Sequence, residues 1–422
     1  MKRIADVLVG SVLVFIAPLL AFAQAPPLQT PKTISQIQIT GKPRKIFDHA
    51  KDQQEIDNYP DAQATAWREA DGTVNVMIPH VEAYRMRGPD LLHLKIDPQK
   101  IYSTAKSAGK IPERQYNYAH WLMGPYSLDG QHFFTLTHSE WYACVLNKDC
   151  QKDPSATVNS WSNTLNSMTS ADGGASWQLD SVSGNHAVAK TGYFWTGSLA
   201  LADKIYLKAM NHSGMFQPTR VIKEGSFYYA ISYYIHRDFT KIDPPKGIYQ
   251  APVDNFGYVL MRTNDVTNPN GWQAWTSGSL YEPISRNHFS TFLPKNSGAI
   301  LYSAAAPQIV YDTVAQTYIL IHPFWAGNKA LNYMTTKSLA SPVWSDSKPI
   351  PGSAKLLTDP AGPVTGFNAV NYPSIIDGAS PGFNFEFTNG RPLLFFNTFP
   401  QQYGGDNTAR DLYAVQLVVS YK

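Results

Sequence analysis

Short runs of alternating apolar and polar residues, separated by glycine and proline turns, recur along most of the chain. In residues 73–76 (TVNV) the alternation has a period of two, which is typical of a strand with one buried face. Signals for helices are weak throughout the sequence. The pattern therefore predicts an all-β protein.

One hairpin pattern occurs five times. Each copy has a proline or Gly-Pro, a short strand, a tight turn and an apolar or aromatic strand that ends in a polar residue. The copies span residues 60–80, 124–138, 218–234, 307–322 and 373–399. The turns include Asp71-Gly72, Asp129-Gly130, Glu224-Gly225 and Asn389-Gly390, where glycine supplies the positive φ that a hairpin turn needs.

A second element follows several of these hairpins: a strand, a polar turn and then a tryptophan, as at Trp177, Trp272 and Trp344. Two hairpins per copy give four antiparallel strands, and five such units arranged radially form a five-bladed β-propeller. An open sandwich or a pair of β domains is the alternative. Residues 34–40 also alternate like a strand. We expect this N-terminal strand to complete and close the last blade, which ends with residues 411–420.

The N-terminus has the pattern of a secretory signal. Lys2 and Arg3 precede an apolar stretch over residues 7–22, and Ala21-Phe22-Ala23 is a small-x-small cleavage site. A membrane anchor is the alternative, although the run is short for a span of about 20 residues. We expect a signal peptide over residues 1–23, an extension with the closing strand over 24–54, and a single propeller domain over 55–422. The mature protein is expected to be periplasmic or secreted.

The only two cysteines are Cys144 and Cys150. In an oxidising compartment they are expected to form a disulfide that closes a small loop. Two cysteines without neighbouring cysteine or histidine ligands do not make a structural zinc site.

Composition excludes several classes of partner. Charged residues make up 16% of the chain, aromatic residues 13%, and the formal net charge is +3. Low charge with many aromatic residues excludes a disordered chain. The charge balance gives no electrostatic footprint for nucleic acid and no polybasic patch for a membrane surface. We expect a monomer without nucleic-acid or membrane partners once the signal is cleaved.

Residues 170–177 (SADGGASW) match the pattern S-x-D-x-G-x-x-W and resemble the Asp-box of sialidases and related propellers. In that family the motif is a structural turn between outer strands. The resemblance implies that Asp172 bonds backbone N–H groups of the turn while Trp177 packs between blades. The Phe/Tyr-Arg-x-Pro motif of sialidases is missing from the chain, so the Asp-box does not imply a sialidase.

The layout of residues 55–420 resembles the five-bladed glycosidases, which include arabinanases, β-xylosidases, α-L-arabinofuranosidases and fructan hydrolases. In those families an Asp at the start of the first inner strand is the general base, and a Glu in a later blade is the acid. Asp61 matches the position of the base. The third hairpin begins Gln217-Pro218-Thr219-Arg220 and has no carboxylate, so the family acid has no direct counterpart there.

Propeller geometry provides a separate way to select pocket residues. If the hairpin turns lie on one face, the starts of the inner strands and the ends of the second strands surround the channel mouth on the other face. The starts are Tyr59-Pro60-Asp61, His120-Trp121, Gln217, Gln308 and Asn371-Tyr372. The ends are His80-Val81-Glu82, His138-Ser139-Glu140-Trp141, Tyr233-Tyr234, His322 and Asn397.

A repeated H-x-E pattern stands out among these positions. His80 and Glu82 lie two residues apart, as do His138 and Glu140, and a strand places residues of that spacing on one face. The two pairs are therefore expected to be related by the symmetry of the channel. Histidine and carboxylate side chains in an aromatic pocket are suited to proton transfer. The alternatives are a turn cap, solvated loop carboxylates and hydrogen-bonded core histidines.

These positions predict a secreted glycoside hydrolase that cleaves an extracellular poly- or oligosaccharide. The expected catalytic residues are Asp61 as base, Glu140 as acid and Glu82 as modulator. The expected substrate-binding residues are His80, Arg85, His120, His138, Trp141, Tyr234, His322 and Trp325. A non-catalytic carbohydrate-binding propeller and a polysaccharide lyase using His and Tyr are the alternatives.

No cofactor is indicated with certainty. His80, His138 and His322 could together bind one divalent cation, such as calcium, in the central channel. Their spacing is not a compact metal motif, so the sequence signal is weak.

Overall fold

The computed structural model describes residues 31–104, 116–117, 119–142, 161–179, 186–189, 213–238, 241, 253–286, 290–292, 306–324, 330–359, 362–363, 371–398 and 409–422. Helices in these residues are the α-helix α1 (His49–Asp52) and three 3₁₀ helices, Pro269–Gly271, Ile284–Arg286 and Ser353–Leu357. A helix with the length and apolar character to cross a membrane is not found in this part of the chain. The predicted all-β class is confirmed for these residues.

Twenty-eight strands make up the described structure. The first fourteen are β1 (Ile34–Phe47), β2 (Ala66–Arg68), β3 (Val74–Ile78), β4 (Glu82–Gly88), β5 (Lys95–Ile96), β6 (Tyr102–Ser103), β7 (His120–Leu122), β8 (Tyr126–Ser127), β9 (Phe133–Tyr142), β10 (Trp161–Ser170), β11 (Gln178–Leu179), β12 (Ala187–Ala189), β13 (Ser213–Phe216) and β14 (Ile222–Glu224). The others are β15 (Phe227–Arg237), β16 (Val253–Thr263), β17 (Gln273–Ser277), β18 (Leu280–Pro283), β19 (Gln308–Asp312), β20 (Thr317–Phe324), β21 (Ala330–Thr336), β22 (Lys348–Pro349), β23 (Thr358–Asp359), β24 (Gly362–Pro363), β25 (Asn371–Ile376), β26 (Phe387–Thr388), β27 (Leu393–Thr398) and β28 (Asp411–Tyr421).

Antiparallel hairpins organise the strands into sheets. The first sheet has the order β2-β3-β4-β5, with β6 also on β4, and a later sheet has the order β22-β21-β20-β19-β26. A twelve-stranded sheet follows the path β18-β17-β16-β15-β13-β10-β9-β7, with β8, β11, β12 and β14 beside it. It consists of two antiparallel halves, which meet where β10 and β13 pair in parallel. The remaining sheets are β1-β28-β27-β25 and the short pair β23-β24.

The N-terminal strand pairs with the C-terminal strand. β1 lies antiparallel to β28, from Ile34 opposite Tyr421 to Phe47 opposite Leu412. The expected pairing of residues 34–40 is therefore present, and the strand continues further, to Phe47. Ile37 and Phe47 are fully buried and belong to two different apolar clusters. The strand thus contributes to the core on both sides of its sheet.

Five apolar clusters each join two successive groups of strands. They lie between β2–β4 and β7–β10, between the two halves of the twelve-stranded sheet, between β15–β16 and β19–β20, between β19–β21 and β25–β28, and between β25–β28 and β2–β4. The last cluster returns to the first group of strands, since Phe395 and Val76 are both part of it. The groups therefore follow one another around a closed circuit of packed interfaces.

The predicted hairpin turns have the backbone that their glycines allow. Gly72, Gly130, Gly225 and Gly390 all have positive φ. Gly130 is required for two reasons: its φ is positive, and a Cβ there would lie 2.5 Å from the ring of Phe383.

Residues 170–177 form the turn between β10 and β11. The carboxylate of Asp172 accepts hydrogen bonds from the Ser176 N–H at 2.9 Å and from the Ser170 hydroxyl at 2.8 Å. Trp177 is buried, edge-on to Trp67 with the ring centroids 6.4 Å apart. These contacts give the segment a structural role, because its polar side chains satisfy the turn itself.

The connection between β25 and β27 reaches all the other groups of strands. The Asn384 side chain bonds both backbone groups of Ser127, and the Phe383 carbonyl accepts from the N–H of Arg68. The buried guanidinium of Arg220 donates to the carbonyls of Phe385 and Ile375 and to the Ser374 hydroxyl. Glu386 accepts from the Lys223 N–H at 2.6 Å, and its own carbonyl accepts from the Tyr311 N–H. This connection therefore links the other groups of strands through hydrogen bonds.

Glu386 is expected to make stability depend on pH. Burial raises its pKa from 4.5 to about 7, while hydrogen bonds and Arg220 oppose the shift. The folded protein therefore holds this proton to a higher pH than the unfolded chain does. As the pH rises from about 4.5 to about 7, we expect the free energy of unfolding to fall by about 3 kcal/mol through this group.

Urea unfolding at pH 4.5 and pH 8 tests this expectation. Glu386→Gln keeps an acceptor for the Lys223 N–H and should lose this part of the pH dependence, becoming more stable than the wild type at pH 8. Glu282→Gln, at a partly exposed position on β18, is the matched control. Equal pH dependence in the wild type and Glu386→Gln would contradict the prediction.

Candidate functional site

A cavity of about 410 Å³ brings together residues from distant parts of the chain. Its lining consists of Tyr59, Asp61, His80, Val81, Ala119, Trp121, His138, Glu140, Phe216, Gln217, Tyr372 and Arg410. Many of them lie at or next to a strand end, where the chain enters or leaves a sheet. The cavity therefore lies at one common edge of several groups of strands.

Left-handed backbone occurs at or near strand ends around the cavity. Ala119, Gln217 and Tyr372 line the cavity with φ of 38°, 51° and 51°, a left-handed conformation that non-glycine residues adopt at a cost. Ala306, which precedes β19, has the same feature with φ of 71°. Left-handed backbone thus recurs at or near strand ends in four groups of strands, and three of these residues line the cavity.

Asp61 has partners on several sides of the cavity. Its Oδ1 accepts from the Tyr372 hydroxyl at 3.1 Å and forms an ion pair with Arg410. Its Oδ2 accepts from the indole Nε1 of Trp121 at 3.3 Å. Since a cation and hydrogen-bond donors stabilise a carboxylate in its ionised form, these contacts suit Asp61 to accept a proton during a reaction.

Arg410 lies immediately before β28 and brings a positive charge to the cavity. Its guanidinium group is 4.9 Å from the centre of the Tyr59 ring, a cation–π contact. Burial lowers the pKa of Arg410 to about 10, so the group remains a cation at neutral pH. Asp61 is therefore held beside a permanent charge.

His80 lies in the turn before β4 and faces Asp61. Its Nδ1 is 2.7 Å from the carbonyl oxygen of Asp57, and its Nε2 is 3.7 Å from Asp61 Oδ2. The Asp61 N–H also donates to the carbonyl of Pro79. The imidazole packs against the ring of Tyr59, with centroids 4.0 Å apart. These contacts hold the two side chains next to one another.

Glu140 provides the second carboxylate. It lies on β9 with His138, and its Oε1 is 3.4 Å from His138 Nε2, so this H-x-E pair shares a strand face as predicted. The imidazole of His138 stacks on Trp121 with centroids 4.8 Å apart. Trp121 also donates to Asp61, so this one indole links the surroundings of the two carboxylates.

Tyr372 connects the cavity walls. Burial raises the pKa of its phenol well above the usual value, and the carboxylate of Glu140 raises it further, so the hydroxyl remains protonated and can donate to Asp61. The side chain of Gln217 bonds the same hydroxyl. This phenol is thus placed near both carboxylates.

Glu82 and Arg85, which the sequence placed at the site, form ion pairs elsewhere. Glu82 begins β4 and lies 2.8 Å from the ammonium group of Lys100. Arg85 lies 3.0 Å from Asp97. The described lining of the cavity includes neither residue. The expected symmetry of the two H-x-E pairs is therefore not observed, because His80 precedes the strand that carries Glu82 and the strand-face rule does not apply.

Two of the expected substrate-binding histidines are buried in the core. His120 contacts the Thr137 hydroxyl at 3.3 Å, and burial lowers its pKa to about 3. His322 contacts the Ser347 hydroxyl and the Pro323 carbonyl, and burial lowers its pKa to about 4. Both are absent from the described cavity lining. They correspond to the alternative of hydrogen-bonded core histidines.

The other expected site residues divide into two groups. Tyr234 is 5% exposed and packs in the cluster between the halves of the twelve-stranded sheet, not in the described cavity lining. The side chains of Trp141 and Trp325 and the cysteines Cys144 and Cys150 lie outside the described residues. The expected disulfide stays a prediction.

The three-histidine cation site is not formed by the described side chains. His322 is bonded to Ser347 away from the cavity that His80 and His138 line. In the described part of the chain, the group with metal-ligand proximity is Asp48, His49 and Asp411. The ammonium group of Lys45 is 2.7 Å from Asp411, so this group already contains a cation.

Comparison with known proteins gives no match to any family model or curated protein. Among solved structures, the chain is similar to the catalytic domain of a GH62 α-L-arabinofuranosidase from Coprinopsis cinerea, at 12% identity over 92% of this chain and 98% of that chain, with a TM-score of 0.45. An α-L-arabinofuranosidase from Lactobacillus brevis is 11% identical over 85% and 92% of the two chains, with a TM-score of 0.48. An endo-1,5-α-L-arabinanase from Thermotoga petrophila is 12% identical over 84% and 72%, with a TM-score of 0.42.

Proposed function

We propose that the groups of strands form a five-bladed β-propeller with four antiparallel strands per blade and β1 as the closing strand. The circuit of five apolar clusters supports this arrangement. The left-handed residues Ala119, Gln217, Ala306 and Tyr372 support it as well, because each lies at or near a strand end in a different group of strands. The cavity then lies on the propeller axis, and residues 1–23 are a signal peptide that directs the domain out of the cytoplasm.

The activity proposed for this domain is that of a secreted glycoside hydrolase acting on an extracellular poly- or oligosaccharide. The observation that carries it is the placement of Asp61 and Glu140 in the lining of one cavity. Two carboxyl groups that flank a glycosidic bond are the usual requirement for its hydrolysis. Asp61 precedes β2 and Glu140 lies on β9, so the fold brings together two acids from different groups of strands.

The remaining lining suits a sugar. The rings of Tyr59, Trp121 and Phe216 offer apolar surface for the faces of a pyranose or furanose ring. Gln217 and the charged groups can bond its hydroxyls. Apolar walls with a few convergent polar groups are typical of small-molecule sites.

The different surroundings of the two carboxylates suggest different roles. Asp61 has the guanidinium of Arg410 and two further donors, which favour the ionised base. Glu140 is the proposed acid: its side chain is 8% exposed, and its Oε1 lies 3.4 Å from His138 Nε2. Unequal environments commonly separate an acid from a base in this way.

In the proposed reaction, the oxygen of a water molecule bonds to the anomeric carbon while the bond from that carbon to the leaving oxygen breaks. Protonated Glu140 gives its proton to the leaving oxygen, and Asp61 takes a proton from the water. One bond forms and one breaks, and two hydroxyl-bearing products result. Proton exchange with solvent returns Glu140 and Asp61 to their starting states.

A screen of plant and microbial glycans tests the proposed activity. The processed protein should release new reducing ends from at least one glycan, and this release should depend on enzyme concentration. Binding of glycans without any product would contradict the hydrolase and support a non-catalytic carbohydrate-binding protein. The mass of the processed N-terminus, measured in the same preparation, tests cleavage after Ala23.

A polysaccharide lyase is the second candidate, and the presence of Arg410 and Tyr372 in the cavity favours it. A lyase removes the proton next to a uronate carboxylate, and a cation such as Arg410 could neutralise that carboxylate. Elimination produces an unsaturated sugar that absorbs ultraviolet light, whereas the products of hydrolysis lack this double bond. Absorbance of the products from uronate polymers therefore distinguishes the two reactions.

A further inference from the structure

The hydrogen bonding of His80 determines which ring nitrogen carries its proton. Nδ1 lies 2.7 Å from the carbonyl oxygen of Asp57, which can only accept. In the neutral ring Nδ1 is therefore the protonated nitrogen, and Nε2 presents a lone pair. That lone pair belongs to a residue that lines the cavity.

The carboxylate of Asp61 has one oxygen that is less fully bonded than the other. Oδ1 receives Tyr372 and Arg410, which together use the two lone pairs of a carboxylate oxygen. Oδ2 receives the Trp121 N–H at 3.3 Å, which leaves one of its lone pairs. Nε2 of His80 lies 3.7 Å from Oδ2.

Two acceptors thus face each other across a distance too long for a direct hydrogen bond. A polar separation of this length is commonly bridged by water, and a water molecule has the two donors that both acceptors need. We propose that His80 is a further catalytic residue, which together with Asp61 holds and orients the water that attacks the anomeric carbon. This inference rests on the proposed hydrolase.

The arrangement assigns each proton of the water. One O–H donates to Asp61 Oδ2 and passes to it as the oxygen bonds to the anomeric carbon. The other O–H donates to His80 Nε2 and stays on the oxygen, becoming the new hydroxyl of the product. Glu140 protonates the leaving oxygen as before, so the step needs no other reactant. Direct attack by this water inverts the configuration at the anomeric carbon.

Two substitutions of His80 separate this role from a structural one. His80→Asn keeps a donor near Nδ1 for the Asp57 carbonyl but removes the acceptor at Nε2. His80→Gln places an amide oxygen near the position of Nε2 but loses the donor near Nδ1. If His80 orients water, His80→Asn should lower kcat by about 10–100-fold at nearly unchanged KM, and His80→Gln should retain more activity. A purely structural role predicts the opposite order.

The kinetics are measured on the glycan that the wild type cleaves, together with thermal midpoints of all variants. His132→Asn, at an exposed histidine with a similar aspartate contact, is the matched control and should behave like the wild type. Higher activity in His80→Asn than in His80→Gln, or equal activity in both, would overturn the inference while leaving the hydrolase intact. A wild type that cleaves no glycan would overturn the proposed function and this inference with it.

The configuration of the first product, followed by NMR on the wild type, needs no variant. Inversion supports water held by Asp61 and His80. Retention would overturn the inference without affecting the hydrolase, because Asp61 would then be a nucleophile and not the base for this water.

Discussion

Glu140→Gln is expected to slow hydrolysis of an unactivated glycoside by about 10²–10⁴-fold, the usual contribution of a positioned general acid. The amide has nearly the same shape and can still approach His138, so the fold should be preserved. The measurement is kcat/KM on the substrate found by the glycan screen, with the thermal midpoint recorded for each variant.

Comparing substrates with different leaving groups tests whether Glu140 acts as the general acid. In an aryl glycoside with an acidic phenol, the phenolate can leave without being protonated. Glu140→Gln should therefore recover most of its activity on such a substrate. Asp61→Asn should stay slow on both substrates, because the missing base is needed for water in either case. The amide at position 61 still offers an acceptor to Tyr372. Recovery by Asp61→Asn in place of Glu140→Gln would reverse the roles, and full activity of both variants would exclude them.

Removal of residues 32–47 is expected to prevent stable folding. The deletion takes away β1, leaves the whole edge of β28 unpaired, and removes the fully buried Ile37 and Phe47 from two clusters. Burying one such side chain contributes about 1.5–3 kcal/mol, and the total stability of a protein is about 5–15 kcal/mol. With the lost strand pairing, the deletion should therefore remove most of that stability.

Thermal unfolding of the deletion variant, with single substitutions beside it, checks this result. Ile37→Ala should cost about 2–5 kcal/mol, while Gln36→Ala, at the exposed neighbouring position, should cost little. A peptide of residues 32–48 added to the deletion variant should restore part of the cooperative transition. A deletion variant that melts at the wild-type temperature would refute the prediction.

Repetition made a large part of the fold predictable. Four of the five hairpin copies share a turn glycine, and all five share the order of strand, turn and strand, so aligning one copy with the next predicted where the inner strands begin. That reasoning placed Asp61, Gln217 and Tyr372 around one opening, where the cavity is observed. The pairing of β1 with β28 followed from the same counting, because the last copy lacked a strand.

The predicted site residues and the observed cavity lining differ where strand phase was assumed. His120 and Trp121 are neighbours on β7, and adjacent residues of a strand point to opposite faces. The sequence favoured His120 for the site, whereas Trp121 lines the cavity. The same assumption placed Glu82 on one strand face with His80, although β4 begins only at Glu82.

Arg410 could not be found by these means. It lies outside the repeated hairpins, and its ion pair with Asp61 joins the two ends of the domain. Local sequence patterns contain no information about such a contact. The residues before β28 and before β2 meet only when the fold is complete, which places Arg410 in the cavity lining beside Asp61.

The pairing of β1 with β28 has a consequence for how the protein folds during its synthesis. During translation β1 emerges long before β28, because most of the described chain lies between the two strands. A nascent polypeptide therefore cannot pair this edge until β28 has been made, and the large separation of the paired segments slows their encounter. We expect the pairing of these two strands to be a late step in folding.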